Sequence, residues 1–208
     1  LEGTLMGEVE NGSEVYLRKT DDNNNLIEVD TTIIENGAFS FKGTTESPEL
    51  GYLFFSAISG NIPVMLENGT IKVSAQKDSL TYASIKGTPQ NQFFSDFLKE
   101  NKGWAERARS MSKEMEQAVK RKDTVTMTAL RDEYFELQQE SKNFELKFAK
   151  ENPNALISAL ILDKVYTTKS IPETQVQEIY DGFTPLIKET IVGKRISNKL
   201  VKSASTRI

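Results

Sequence analysis

The chain has 208 residues and contains no cysteine and no histidine, so it lacks the two side chains on which most nucleophilic, redox and transition-metal chemistry rests. Hydrophobic residues are 38% and charged residues 27% of the total, a balance that can bury a core and excludes a disordered chain. The 26 basic and 30 acidic residues leave a net charge of -4, which argues against nucleic acid as a partner, because phosphate affinity needs clustered Lys and Arg.

No apolar run approaches the roughly 20 residues that cross a bilayer. The chain opens on Leu1-Glu2-Gly3-Thr4, without initiator Met, basic region or apolar leader, and so reads as trimmed at its start. The lack of cysteine by itself leaves the redox compartment open.

Up to residue 88 the punctuation is that of strands. Asn11-Gly12, Asn36-Gly37 and Asn68-Gly69 are flanked by short β-branched or aromatic runs, the strongest local signal for hairpins, and imply antiparallel pairing. Apolar residues recur with period two at Val15 and Leu17, at Val29, Thr31 and Ile33, at Phe39 and Phe41, at Val64 and Leu66, and at Ile71, Val73 and Ala75. Each strand is therefore expected to bury one face, in about seven or eight strands. Two sheets packed face to face or one closed barrel would both cover such faces, and the sandwich is favoured.

After Gly87 the period becomes helical. Thr88 can cap and Pro89 suits a first turn. Phe97, Trp104, Met111 and Ala118 then fall seven apart, with Ala108 and Met115 beside them, and Gly103 offers a bend. The pattern breaks at Lys122-Asp123-Thr124 and resumes with Met127, Leu130, Tyr134, Leu137, Phe144 and Phe148, Ser141 filling the missing position. So short a connection predicts an antiparallel helix hairpin ending at Asn152-Pro153. Three shorter helices follow, at about 154–166, about 172–183 and from about 190 onward. Leu156, Ile157, Leu160, Ile161 and Leu162 cover much of the first, and Ser170 with Glu173 has capping-box spacing for the second. The expected fold class is α+β: an N-terminal antiparallel β-sandwich domain over residues 1–88, then a helical subdomain over residues 89–208 with the long hairpin. The hairpin seam can be satisfied within one chain or between two, with a homodimer favoured.

Chemistry-bearing patterns are thin. Asp21, Asn23 and Asn25 occupy the first ligand positions of a calcium loop, but Leu26 and Thr32 stand where Gly and Glu are needed, so a polar hairpin tip is the expectation. Ser110 and Lys113 match Ser-x-x-Lys without its companion elements, on a solvated helix face. Asp and Glu are interspersed with Lys and Arg, and no pair is singled out for the acid/base work of a hydrolase. No phosphate-cradling glycine loop is present. Asn11-Gly12-Ser13 and Asn68-Gly69-Thr70 match glycosylation acceptors but coincide with turns. The aromatics Tyr52, Phe54 and Trp104 are the candidate ligand or partner surface. Tyr52 and Phe54 alternate with Leu53 and Phe55 as in a strand buried on both faces, and Trp104 shares a helical row with Phe97, so core or inter-domain packing is the favoured reading. Lys188, Lys194, Arg195, Lys199, Lys202 and Arg207 gather near the end, as a solvated helix face would. No catalytic, cofactor-binding or metal-binding residue is expected.

The order of segments resembles a known family. Leu1-Glu2-Gly3-Thr4-Leu5, Val15-Tyr16-Leu17, Gly37-Ala38-Phe39-Ser40-Phe41-Lys42-Gly43 and Ile85-Lys86-Gly87-Thr88-Pro89-Gln90-Asn91 are similar to the N-terminal domain of unknown function (DUF 4369 type) of Bacteroidetes thioredoxin-like proteins of the TlpA and AhpC/TSA type. Asn152-Pro153-Asn154, Ser158-Ala159-Leu160, Ile179-Tyr180-Asp181-Gly182-Phe183, Ile187-Lys188 and Gly193-Lys194-Arg195-Ile196 resemble the helical region that follows in them. The resemblance implies a lipoprotein-type signal upstream and a thioredoxin-like domain with Cys-x-x-Cys downstream, in the cell envelope, periplasmic and lipid-anchored. The chain would then be a non-enzymatic accessory region of a thiol:disulfide oxidoreductase, stopping about where that C-terminal domain begins. Its partners would be that domain, a second copy or client proteins. The alternative is a free-standing cell-envelope binding module for a glycan, peptide or small ligand.

Overall fold

The computed structural model describes residues 1–21, 25–56 and 58–205. Among them eight strands form two four-stranded sheets: β1 (Glu2–Met6), β2 (Glu14–Thr20), β3 (Leu26–Ile33), β4 (Ala38–Ser40), β5 (Glu49–Phe55), β6 (Ile58–Leu66), β7 (Lys72–Gln76) and β8 (Ser84–Lys86). One sheet has the order β4-β1-β7-β8 and the other β3-β2-β5-β6. Val15 and Leu17, Leu53 and Phe55, and Ile62 and Val64 of the second sheet are buried with Leu5, Phe39, Val73 and Ile85 of the first. The Phe39 and Phe55 rings meet edge to face with centroids 5.7 Å apart. The α+β class and the two-sheet N-terminal half thus follow the sequence expectation.

Two details of the strand reading are corrected. β1 pairs antiparallel with β4 but parallel with β7, Gly3 lying opposite Val73, so the first sheet is mixed. Asn11-Gly12 and Asn68-Gly69 carry the chain from one sheet to the other without closing a hairpin, whereas Asn36-Gly37 closes a minimal one, Glu35 and Ala38 exchanging both backbone hydrogen bonds at 2.9 Å as the chain passes from β3 to β4. Asn36 (φ 52°) and Gly37 (φ 77°) do make the left-handed pair of a tight reversal. Reversal and strand pairing are separate properties, and a sandwich can use a tight turn to change layers. Asn11 Oδ1 accepts from Asn36 N at 2.7 Å, so two of these turns dock on each other. Consecutive strands that pair antiparallel within a sheet are instead β2–β3, β5–β6 and β7–β8.

β3 also departs from expectation. Val29 is 48% and Ile33 46% exposed, although the period-two pattern predicted a buried face. Register explains this. Leu17 pairs with Asp30 and Arg18 with Glu28, which leaves Val29 as the extra residue of a bulge, while Ile33 and Thr31 lie opposite Glu14 and Tyr16 on the outer face. β3 is an edge strand, with Glu28 and Asp30 as the charges that discourage further pairing.

Six helices follow: α1 (Pro89–Arg121), α2 (Thr124–Glu151), α3 (Leu156–Thr167), α4 (Glu173–Gly182), α5 (Pro185–Lys188) and α6 (Ile191–Ser205). α1 runs unbroken through Gly103 for 33 residues, or about 50 Å at 1.5 Å per residue. Its first turn is capped by a residue the sequence did not suggest. Glu67 at the end of β6 accepts from Gln90 N at 2.6 Å, whereas the Thr88 hydroxyl accepts from Asn91 Nδ2 at 2.8 Å. Lys122 (φ 56°) closes α1 and Asp123 starts α2 by accepting from Thr126 N at 3.0 Å. The Ser170–Glu173 capping box does not form. Pro172 precedes α4, Ser170 Oγ bonds Thr168 Oγ1, and Glu173 accepts from Ser203 Oγ of α6. The single-turn α5 was missed because Pro185-Leu186-Ile187-Lys188 is too short for periodicity to register.

Sandwich and helices share one cluster of buried side chains, from Leu5 and Val15 through Phe94 and Phe97 to Ile187 and Ile196. A buried polar clamp joins them. Gln90, 3% exposed, donates to Asn154 O at 2.9 Å and accepts from Leu156 N at 2.6 Å. Asn91, 0% exposed, accepts from Met65 N at 2.9 Å and donates to Met65 O at 2.7 Å. In this way one turn of α1 satisfies a sandwich strand on one side and the start of α3 on the other.

Candidate functional site

The sequence candidates for catalysis and metal binding are held in structural contacts. Asn23 of the calcium-like run lies outside the described residues; Asp21 accepts from Asn25 N at 2.8 Å, as in a polar hairpin tip. No group of three or more acidic, histidine or cysteine residues that could hold a metal occurs among the described residues. Ser110 donates to Glu114 at 2.8 Å and Lys113 is exposed on the same helix. Two of the carboxylates with close cations latch helices together: Asp163 with Arg195 at 3.2 Å and Lys199 at 2.8 Å, and the buried Glu145 with Lys164 at 2.8 Å. Lys188 sits 5.5 Å from the Tyr180 ring centroid and donates to Asp181 O. The C-terminal basic cluster is therefore only partly the solvated face expected; Arg207 lies outside the described residues. No helix among the described residues is long and apolar enough to cross a membrane.

The aromatic candidates fall in two places. On β5, Leu53 and Phe55 point into the sandwich while Tyr52 and Phe54 are half-buried on its outer face, which corrects the reading of a strand buried on both sides. Helices cover only the start of this face, where Leu50 lines a small gap with Leu156, Leu160 and Val192. Tyr52 and Phe54 have centroids 6.5 Å apart, and register places them opposite Arg18 and Tyr16 of β2. The Arg18 guanidinium lies 5.2 Å from the Tyr16 ring centroid and 5.0 Å from that of Phe54, and reaches Glu28 at 3.5 Å. Tyr16 donates to Glu14 at 2.5 Å. This bond to a carboxylate, chiefly, raises the Tyr16 pKa above the ordinary phenol value, and burial raises that of Tyr52. The result is a half-exposed platform of aromatic rings and a guanidinium, the Tyr52 and Phe54 planes tilted 48° to each other, that offers ring faces to a planar or sugar-like group.

Trp104 belongs to the hairpin instead, stacked on Phe144 of α2 with centroids 4.8 Å apart. Phe144 stacks in turn on Phe97. The packing reading holds for Trp104, and the structure does not join it to Tyr52 and Phe54.

Two concavities had no sequence signal strong enough to name them. A cleft of about 710 Å³ lies at the β3 edge, with Leu17, Val29, Phe41 and Ile71 below a rim that includes the Lys19–Glu49 ion pair at 2.7 Å. Val29, misplaced by the bulge, was its only trace. The other concavity is a groove on one side of the hairpin.

Residues 1–94 match the model of a family described as Domain of unknown function (DUF4369). No curated protein and no solved structure matches the chain.

Proposed function

We propose that this chain is the non-catalytic accessory region of an exported thioredoxin-like thiol:disulfide oxidoreductase, where it holds the redox domain in place and contacts partner or client proteins. The observation that carries this reading is the lack of cysteine and histidine throughout 208 residues, in a chain whose first 94 residues are similar to that domain of unknown function. Two further features support it. The sandwich and helices are locked by buried Gln90 and Asn91 and share one core, as a spacer of fixed shape requires. The little-exposed carboxylates Glu145 and Asp163 are each held by a cation of a neighbouring helix, as structural latches rather than as a hydrolytic acid pair.

The reading frame that encodes the chain tests this directly. A lipoprotein-type signal upstream and a Cys-x-x-Cys domain downstream are expected, and a frame with neither would overturn the reading. As a second check, the isolated chain should not accelerate disulfide reduction of insulin by dithiothreitol.

A free-standing envelope binding module is the second reading, favoured by the half-exposed platform of Tyr16, Arg18, Tyr52 and Phe54. Under it, a glycan or peptide library should contain a ligand that raises the melting temperature of the wild-type chain but not of Tyr52→Ala.

A further inference from the structure

The two flanks of the helix hairpin differ. At about 100° per residue, the α1 side chains that meet α2, among them Met111 and Ala118, form one stripe. Arg107, Ser110 and Glu114 lie to one side of it, and Ala108, Met115 and Val119 to the other. The first flank is closed: Arg107 bridges Glu114 at 2.9 Å and also pairs with Glu133 of α2. On the second flank a groove of about 620 Å³ runs between Met111, Met115 and Val119 of α1 and Leu130 and Tyr134 of α2. At Ala108 and Tyr134 it passes into another of about 480 Å³, which borders Trp104 and ends against α3 at Val165 and Thr168. From Asn101 to Lys120 the joined groove is roughly 28 Å long, about five helical turns.

We propose that this groove docks an amphipathic α-helix with an acidic polar face, supplied by a partner protein. Ala105, Ala108 and Ser112 line it, and such small side chains let a third backbone approach closely. Val119, 53% exposed, is positioned to receive an apolar stripe of the helix-in-groove kind. The charges on the margin select the sign of the partner. Glu145 is taken up by Lys164, while Lys120, Arg131 and Lys142 have no ion-pair partner among the described residues and are opposed only by Glu116. Arg131 and Lys142, both on the α2 margin, are about three turns apart, a spacing that carboxylates on one face of a helix can meet. A second copy would instead set this basic margin against itself. The inference goes beyond the redox reading and does not depend on it.

The test uses the intact chain and two synthetic helices of about 18 residues with the same Leu/Met stripe, one flanked by Glu and the other by Lys. Trp104, the only tryptophan, borders the groove and reports binding by its emission. The Glu peptide should bind at least tenfold more tightly than the Lys peptide, with the gap closing as salt is raised to about 0.5 M. Val119→Glu should abolish binding of the Glu peptide, and Arg131→Glu, which leaves two positive and two negative side chains on the margin, should bring the preference to less than about threefold. Both side chains are exposed, and circular dichroism and melting temperature will show whether the variants fold. Equal binding of the two peptides, or binding of neither, overturns the proposal. So does a dimer in sedimentation that Val119→Glu dissolves, which assigns the groove to a second copy. Adsorption to anionic vesicles that the same substitution abolishes also overturns it, by assigning the groove to a lipid surface.

Discussion

Asn91 shows how a single side chain can join two layers. It is fully buried, and its amide satisfies both backbone groups of Met65 while also donating to Thr88 Oγ1. Asn91→Ala would strand a buried N–H and C=O together and should cost about 3 kcal/mol, read as a lower denaturant midpoint at unchanged slope. Asn91→Asp discriminates this account from mere loss of volume. The introduced carboxylate faces the Met65 carbonyl, so its folded pKa is raised, and stability should recover as pH falls and the group takes up a proton. A volume effect would not respond to pH. At the platform the sign is the same, but the pH range is alkaline. Tyr16 and Tyr52 hold their protons above the ordinary phenol pKa, so whatever stability they contribute is present at neutral pH and lost as pH rises into the alkaline range. Phenolate absorbance should show two late steps, with Tyr16→Phe and Tyr52→Phe each removing one. Because burial raises the Tyr52 value, a ligand stacked on the platform should delay that step further.

The helix hairpin depends on its turn. Asp123 accepts from the backbone N–H and hydroxyl of Thr126, and the backbone bond in particular lowers its pKa; Glu114 is lowered by the Ser110 hydroxyl and then by Arg107. Both carboxylates are favoured ionised in the fold, so their contribution is present above the ordinary carboxylate range and lost as pH falls through it. Asp123→Asn keeps an acceptor at the cap without the charge. The melting-temperature gap between it and the wild type should therefore shrink on acidification, and a gap that stayed constant would show that the charge is idle. The hairpin was legible because its signals are local: a seven-residue apolar spacing on α1, a break at Lys122-Asp123, and a second seam. Strand partners were less so. Asn36-Gly37 fixes a reversal through two positive φ values, but which strands then pair depends on contacts many residues away, such as Glu2 with Lys72. On β3 the alternation was itself real, but register against β2 set Thr31 and Ile33 on the outer face, and the bulge took Val29 out of the pairing. The platform followed the same rule. Tyr52 and Phe54 were visible as aromatics, but that they meet Tyr16 and Arg18 is set by cross-strand register. The hairpin groove was hidden because helical periodicity finds the stripe that faces a neighbour and says nothing about which flank of that stripe is closed by Arg107.

At the scale of the molecule, the family match and the packing divide the chain differently. The matched region ends at residue 94, inside the second turn of α1, whereas the buried cluster continues through Phe97, Phe148 and Leu156 to Ile196. A cut after residue 94 would remove the carbonyl of Asn154 and the N–H of Leu156 that satisfy the buried Gln90, and would bare Phe94. Two consequences follow from this continuity. The whole chain should unfold in one cooperative step, with fluorescence from Trp104 in the helices and far-ultraviolet circular dichroism giving coincident midpoints. A fragment of residues 1–94 should lack a cooperative transition or aggregate, because the strands lose the layer that pairs Gln90 and covers Phe94. If the probes instead separated into two transitions, and the fragment melted cooperatively as a monomer, the sandwich would be a folding unit in its own right. The shared core would then be a docking interface rather than a condition of folding, and the spacer could flex at residues 87–89.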